Sequence, residues 1–381
     1  MLIFYTRDKK TIRYHETQKG DVSQHYYGIV ENILNILKLD ILNNDRNLKE
    51  NNIVFIEDLF DQTLMVARKP FYQLEHSKQS EGKKTHVFID NRSEPRNFNL
   101  STFLYVAKHE YGIDEKNIHV ITATQHHIPK NTKLNVYYFP NFSKVFLREG
   151  GYMGNPHISV MNKTKLLTCF NRRPSLQRTI QISDIIKNFS QDEYSISLGV
   201  DETLNKPKEN ELLLRMYTGD PSINYPISLD KELIETSDTE QFKVNIGDAS
   251  NCIFDIVNET IPTSSDTSPT NYRHGGVYYL TEKTLRPFLN HQIPILNSTV
   301  GYGKWLKTNY GFDLFEDIID YKKWDKIPTL EGRSEMIVQE IKRFRTKHPD
   351  YNKFYRDNLF RFQLNESLVK GFDENEFKKL K

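Results

Sequence analysis

The stretch from Gly275 to Trp305, GGVYYLTEKTLRPFLNHQIPILNSTVGYGKW, constrains the fold more tightly than any other part of the chain. Val277 to Leu280 is short and apolar or aromatic, behind two glycines, which predicts a strand. Thr281 follows at once as a helix cap. Glu282 then falls in the first turn, where the positive end of a helix favours a carboxylate. Leu285, Phe288 and Leu289 stand at i, i+3 and i+4, so one helical face is apolar. Ile293 to Leu296 predicts a second short strand, followed by a loop with Gly301 and Gly303. Strand, short helix, strand is a βαβ unit. Parallel sheets take their ligands at the carboxyl ends of the strands. Thr281-Glu282-Lys283 is expected at such an end, beside the unsatisfied N–H groups of a helix start.

The same alternation runs through the chain. Strands are expected at Met1–Tyr5, Ile53–Ile56, Thr85–Ile89, Asn117–Ala123 and Leu134–Phe139, with helices at Tyr26–Leu39 and Leu100–Tyr111, the latter closed by Gly112. Glu149-Gly150-Gly151-Tyr152-Met153-Gly154-Asn155-Pro156 is the strongest boundary signal. Beyond it the pattern restarts, with a strand at Lys165–Phe170, a helix at Ser175–Phe189 and strands at Ser195–Leu198 and Ile253–Val257. A Ser/Thr/Pro-rich loop spans Pro262–Asn271, and a basic helix is expected at Gly332–His348. This predicts an α/β protein with helix-covered parallel sheets. Its parts are an N-terminal domain over 1–150, a second over 160–345, and C-terminal helices over 346–381 that pack back on the first domain.

Composition narrows the function classes. Lys and Arg number 52 against 50 Asp and Glu, a net charge of +2, which is no nucleic-acid footprint in itself. The two cysteines, Cys169 and Cys252, suggest neither a metal site nor a disulfide framework, and a reducing, cytoplasmic compartment is expected. No run approaches the roughly eighteen apolar residues of a membrane span, and the N-terminus does not read as a signal peptide. Walker and G-x-G-x-x-G loops are absent, which argues against kinase, ATPase and NAD chemistry.

VYYLTEKTLRPFLNHQIPIL resembles the Thr-Glu-Lys segment of nucleotide-sugar-dependent glycosyltransferases of the two-Rossmann-domain (GT-B) type. It is most similar to fucosyltransferase-like enzymes and their viral and bacterial relatives. The resemblance covers roughly Lys165 to Lys342, and the first domain only weakly. It implies two Rossmann-like domains facing across a cleft, with a UDP- or GDP-linked sugar held by the second. Glu282 would then hold the donor ribose and Lys283 the phosphates or nearby backbone. Asn171-Arg172-Arg173-Pro174, with Arg178 one turn further on, is similar to the Arg-rich segment that binds the donor diphosphate in those enzymes. Guanidinium groups suit phosphate, and a basic helix start is locally unfavourable without an anion. Asn258-Glu259-Thr260 resembles the acidic segment that precedes the Thr-Glu-Lys triplet, and a solvated strand end is an equal reading of it. The Arg loop and the residues after the helix depart from the fucosyltransferase pattern, so fucose is not implied.

Transfer with inversion needs a base for the acceptor hydroxyl. Glu94 is the first candidate and Asp90 the second, at the end of THVFIDNRSEP; Glu57, Asp58, His126 and His127 follow. His126 and His127 do not read as a metal pair. No Asp-x-Asp pair occurs, so the metal-clamped diphosphate site of the single-Rossmann (GT-A) transferases is not indicated, and neither metal nor resident cofactor is expected. The acceptor stays open between a glycan or lipid-linked saccharide and a hydroxymethylated base in phage DNA. For the latter, the Asn/Lys/Ile/Tyr-rich composition suits an AT-rich viral genome and host cytoplasm. The helix carrying Lys342, Arg343, Arg345 and Lys347 would then contact phosphate, though such a face is more often simply solvated. The alternative is a non-catalytic saccharide- or nucleotide-binding module on the same scaffold. Neither oligomeric state nor stereochemical outcome is implied.

Overall fold

Parallel strands hydrogen-bonded into two separate sheets frame the protein. The computed structural model describes residues 2–5, 11–13, 51–57, 71, 84–91, 100–122, 133–138, 162–171, 174–199, 207–227, 250–259, 278, 280–370 and 378–379. Contacts divide the chain into two units, Met1–Phe142 with Asp373–Lys381, and Ser143–Phe372. The expected Tyr26–Leu39 helix, the Gly150 boundary and the Pro262–Asn271 loop lie outside the described residues.

In the first unit, β1 (Leu2–Tyr5) pairs antiparallel with β2 (Thr11–Arg13) and parallel with β3 (Asn51–Glu57). The parallel ladder continues through β4 (Lys84–Asn91), β5 (Ile118–Thr122) and β6 (Asn135–Tyr138). Alternation puts Val54, Ile56, Val87, Ile89, Ile118 and Val120 on one face, where they pack with Phe71, Phe103 and Val106. Phe103 comes from α1 (Leu100–Tyr105), which continues as a π-helical turn, Val106–Glu110. Gly112, at φ 63°, lies just beyond it and supplies the left-handed residue that helix ends favour.

In the second unit β7 (Lys165–Asn171) leads through α2 (Leu176–Asn188) to β8 (Tyr194–Leu198). The helix α3 (Pro207–Thr218) comes next. Strand β9 (Cys252–Asn258), helix α4 (Glu282–Leu289) and strand β10 (Ile293–Asn297) follow. The sheet order is β10-β9-β7-β8, with every pair parallel. Every residue of β9 and β10 is buried, as expected for a parallel sheet covered on both faces.

Helices α5 (Tyr302–Tyr310), α6 (Lys322–Asp325), α7 (Leu330–Lys347), α8 (Tyr351–Asp357) and α9 (Leu359–Lys370) complete this unit. Consecutive strand residues point to opposite faces. Phe254 meets Phe344 of α7 edge-on at 4.7 Å, and Asp255 meets Arg286 of α4 at 2.8 Å. Helices α7 and α4 therefore cover opposite faces of the sheet.

Two sequence expectations are corrected. No strand forms at Tyr278 or Leu280; β10 pairs directly with β9. The carbonyls of Pro294 and Leu296 on β10 are instead taken by the Tyr321 hydroxyl and, at 3.0 Å, by the Trp324 indole N–H. The C-terminal helices belong to the second unit. Phe354, Tyr355 and Phe362 are buried in its core with Phe315 and Phe344. Among the described residues beyond Lys370, the two-residue strand β11 (Lys378–Lys379) joins the first sheet, antiparallel to β6. Among the described residues, no helix is long and apolar enough to cross a membrane.

Candidate functional site

The chain reverses its direction of travel across the second sheet between β7 and β9. From β7 it moves outward to β8; from β9 it moves the other way, to β10. In open parallel sheets such a switch point leaves a crevice at the carboxyl ends of the two central strands, because the helices that follow them go to opposite faces. Here the residues at those ends are Asn171 on β7, and Asn258 with Glu259 on β9.

On the α4 side, Glu259 is 3% exposed. Its Oε1 accepts the Thr281 hydroxyl at 2.5 Å and also the hydroxyl of Thr284. Thr281 is the N-cap of α4, and its oxygen accepts the Lys283 N–H at 3.2 Å. The single hydroxyl proton of Thr284 goes to Glu259, so Tyr302 donates to Thr284, at 2.9 Å. The carboxylate at the end of β9 thus fixes the start of α4, with one oxygen already occupied by two threonines. Arg286, one turn on, makes a two-pronged pair with Asp255, which also accepts the Thr168 hydroxyl at 3.0 Å. This pair ties α4 to the middle of the sheet.

On the α2 side the site is a row of amides. Asn297 lies in register with Asn258, and extending the β7–β9 register sets Asn171 beside Asn258. Asn297 Nδ2 donates to Asn258 Oδ1 at 2.9 Å, and Asn258 Nδ2 donates to Asn171 Oδ1 at 3.2 Å. Both Asn258 and Asn171 also donate to Cys169 Sγ, each at 3.3 Å. Burial pushes the Cys169 thiol up to about 12, so the row ends on a neutral group. The first turns of α2 close over the other end. Gln177 donates to the Asn297 carbonyl at 2.8 Å, and Gln181 accepts from Asn297 Nδ2 at 3.2 Å. Ser175 caps α2 by accepting the Arg178 N–H at 3.4 Å, and no acidic residue occupies the first turn.

Beside this edge, Tyr278 stacks on Trp305 with ring centroids 5.4 Å apart, and Tyr302 stacks on Trp305 at 5.5 Å. The start of α5 is already occupied: both oxygens of Asp325 accept the Gly301 N–H, each at 3.0 Å. Burial raises the Asp325 carboxyl above the usual carboxylate range.

Of the residues singled out in the sequence, Arg178, Glu259, Thr281 and Lys283 are described in full, and all lie at this carboxyl edge. Arg178 and Lys283 are half-buried, each in the first turn of its helix. Glu282 begins α4, but its side chain lies outside the described set, as do Arg172 and Arg173, which follow Asn171 in sequence. In the first unit, Asp90 stands at the carboxyl end of β4, in register with Glu57. Glu94, Asp58, His126 and His127 lie outside the described residues.

The basic helix face expected to meet phosphate is largely engaged internally. Lys342 donates to Asn188 at 2.7 Å, Arg343 pairs with Glu340, and Arg345 pairs with Glu193 at 2.9 Å. Among the described residues no cluster of three or more His, Cys, Asp or Glu could hold a metal ion. The amide row was not foreseen, although its signal is present: LTCFN, FDIVN and IPILN each close a buried strand on asparagine.

The fold and this edge define a parallel α/β unit with a topological switch point between β7 and β9. No known family model matches the chain, and no curated protein or solved structure is significantly similar to it.

Proposed function

We propose that the protein is a metal-independent glycosyltransferase that moves a sugar from a UDP- or GDP-linked donor to an acceptor hydroxyl, with its two units arranged as a GT-B pair. The observation that carries this reading is the switch point between β7 and β9. Asn171 closes one of its strands and is followed in sequence by Arg172 and Arg173, with Arg178 in the first turn of α2; Glu259 follows the other, ahead of the Thr281-Glu282-Lys283 start of α4. Two helix starts at one sheet edge, with Arg178 and Lys283 in their first turns, suit a diphosphate leaving group, which they would neutralise without a divalent ion.

In the proposed reaction the acceptor oxygen forms a bond to the anomeric carbon. The bond from that carbon to the diphosphate oxygen breaks, and the nucleoside diphosphate leaves with the electron pair. The acceptor proton passes to a carboxylate of the first unit, Glu94 or Asp90. The acceptor is a saccharide hydroxyl or the hydroxymethyl group of a modified base.

Thermal melting against a panel of nucleotides and nucleotide-sugars tests the donor site, with Glu282→Ala and Arg173→Ala beside wild type. A ligand that binds only the native state raises the midpoint by mass action. A UDP or GDP species that stabilises wild type and neither variant supports the reading. No shift from any member of the panel overturns it. If a nucleotide binds and no sugar is released or transferred, the protein is a binding module. Salt-sensitive binding to duplex DNA would separate a DNA acceptor from a glycan.

A further inference from the structure

We propose that His291 is an acid-sensitive pin, which holds α8 and α9 against the end of α4 and loosens them when its ring takes up a proton. The inference is independent of the donor-site reading above.

The pin lies at the edge of the second sheet opposite the switch-point edge, where Lys163, Ser250 and His291 come just ahead of β7, β9 and β10. His291 follows Asn290, the C-cap of α4, and turns the chain with a φ of 49°. Helix ends usually give that left-handed position to glycine, because a Cβ is strained there. The ring accounts for a histidine in it. His291 is 3% exposed, and both ring nitrogens are engaged. Nδ1 contacts the Tyr355 hydroxyl of α8 at 2.7 Å, and Nε2 contacts Glu366 Oε2 of α9 at 2.9 Å. Phe362, also on α9, stacks on the ring with centroids 6.1 Å apart.

These partners decide the tautomer. Burial opposes ionisation of Glu366, but hydrogen bonds from Lys370, at 2.6 Å, and from His291 hold its carboxyl below the usual range. An ionised carboxylate only accepts, so Nε2 carries the ring proton and Nδ1 accepts the Tyr355 O–H. The neutral ring is satisfied at both ends. A second proton, on Nδ1, would face a hydroxyl that is already donating to it, and the bond to α8 has to reverse. The added charge also enters a buried cluster that holds Lys163. Its Nζ lies 5.3 Å from the centre of the Tyr355 ring and donates to the carbonyls of Ser250 and Asn290. Burial brings the Lys163 ammonium down to about 7, with Cys252 opposing, so it is charged below that pH. Burial lowers the His291 pKa, Glu366 raises it, and Lys163 and Lys370 lower it, with the net shift downward. The folded ring therefore takes up its proton less readily than a free imidazole, at about 6.5. The stability of these contacts is full above that value and is lost as the pH falls below it.

The test is amide hydrogen exchange of the full chain, read by mass spectrometry from about pH 7 down to about pH 5 and corrected for the intrinsic rates. In wild type the amides of α8 and α9 should lose protection relative to those of β9 as the pH falls, by up to about tenfold per pH unit, the slope of one linked proton. His291→Gln keeps a donor for Glu366 and does not titrate, so its difference between the helices and β9 should stay flat. A merely structural ring would lower protection in the variant at every pH and leave the wild-type profile flat, which overturns the proposal. So does an equal pH dependence in the variant, protection that rises with acid, or a loss shared by β9. Should His291→Gln not fold, exchange of the imidazole C2 proton in wild type reads the ring directly. A midpoint below about 6.5 supports the proposal, and one at or above it overturns it.

Discussion

Asp255 takes both the Nε–H and an Nη2–H of Arg286, at 2.8 and 2.9 Å, with the two side chains 0% and 8% exposed. The pair joins the centre of β9 to the middle of α4. Breaking a buried pair from one side leaves a charge without compensation, which costs about 3–5 kcal/mol. Arg286→Met and Asp255→Leu are each expected to lose stability on that scale in urea denaturation. The double variant should recover most of the loss, because an apolar replacement of the whole pair packs comparably. A double variant no better than the singles would mean that Thr168 and Gln292, which extend the network, depend on Asp255 more than Arg286 does.

Glu259 acts on the same helix from its start. Glu259→Ala leaves the hydroxyls of Thr281 and Thr284 buried without their acceptor, at an expected cost of about 1–3 kcal/mol. Glu259→Gln should cost less, since an amide oxygen still accepts. Hydrogen exchange separates local from global loss: the first-turn amides of α4 should exchange faster in Glu259→Ala, while those of β9 keep their protection. Uniform loss across the unit would contradict a local role.

These two residues show what the sequence reveals and what it hides. The strands were legible because buried parallel strands are short apolar runs bounded by turn residues, as in LLTCF and IFDIV. Thr281 was legible as a cap because capping is local. VYYL looked like a strand for the same local reason, yet pairing is decided elsewhere, and β10 takes β9 as its neighbour. The partner of Asp255 lies 31 residues away and that of Glu259 22 to 25 residues away, so neither follows from spacing. The C-terminal helices carry aromatic residues in several directions, and their choice of core was likewise not readable before the core existed.

Lys163 gives the second unit a pH dependence. It is 1% exposed and donates to the carbonyls of Ser250 at 2.6 Å and Asn290 at 2.9 Å. Burial lowers its ammonium pKa from 10.5 to about 7, with Cys252 opposing weakly. Between those values the unfolded chain binds the proton and the folded chain releases it. Stability is therefore expected to rise with pH through this window, by up to about 1.4 kcal/mol per pH unit. Lys163→Met should flatten that rise in denaturation curves collected from pH 7 to pH 10. An unchanged slope would place the titration elsewhere.

Gly301 and Gly311 allow backbone strain to be separated from packing. Both are left-handed, with φ of 82° and 75°, a region that costs a residue with a Cβ about 1–2 kcal/mol. At Gly311 an added Cβ meets nothing within 4 Å, so Gly311→Ala should show the strain cost alone. At Gly301 the same atom would lie 2.8 Å from the Tyr278 hydroxyl, which donates to the Val300 carbonyl at 3.1 Å. Gly301→Ala must therefore also displace the Tyr278 ring from its stack on Trp305. It should destabilise more than Gly311→Ala and change the tryptophan fluorescence, which Gly311→Ala should not. Adding Tyr278→Phe removes the clashing oxygen. In the Gly301→Ala background that second change should restore part of the lost stability, whereas in wild type it should only cost the hydrogen bond to Val300. If Tyr278→Phe is equally costly in both backgrounds, the contact is not what makes position 301 a glycine, and the backbone angle alone accounts for it.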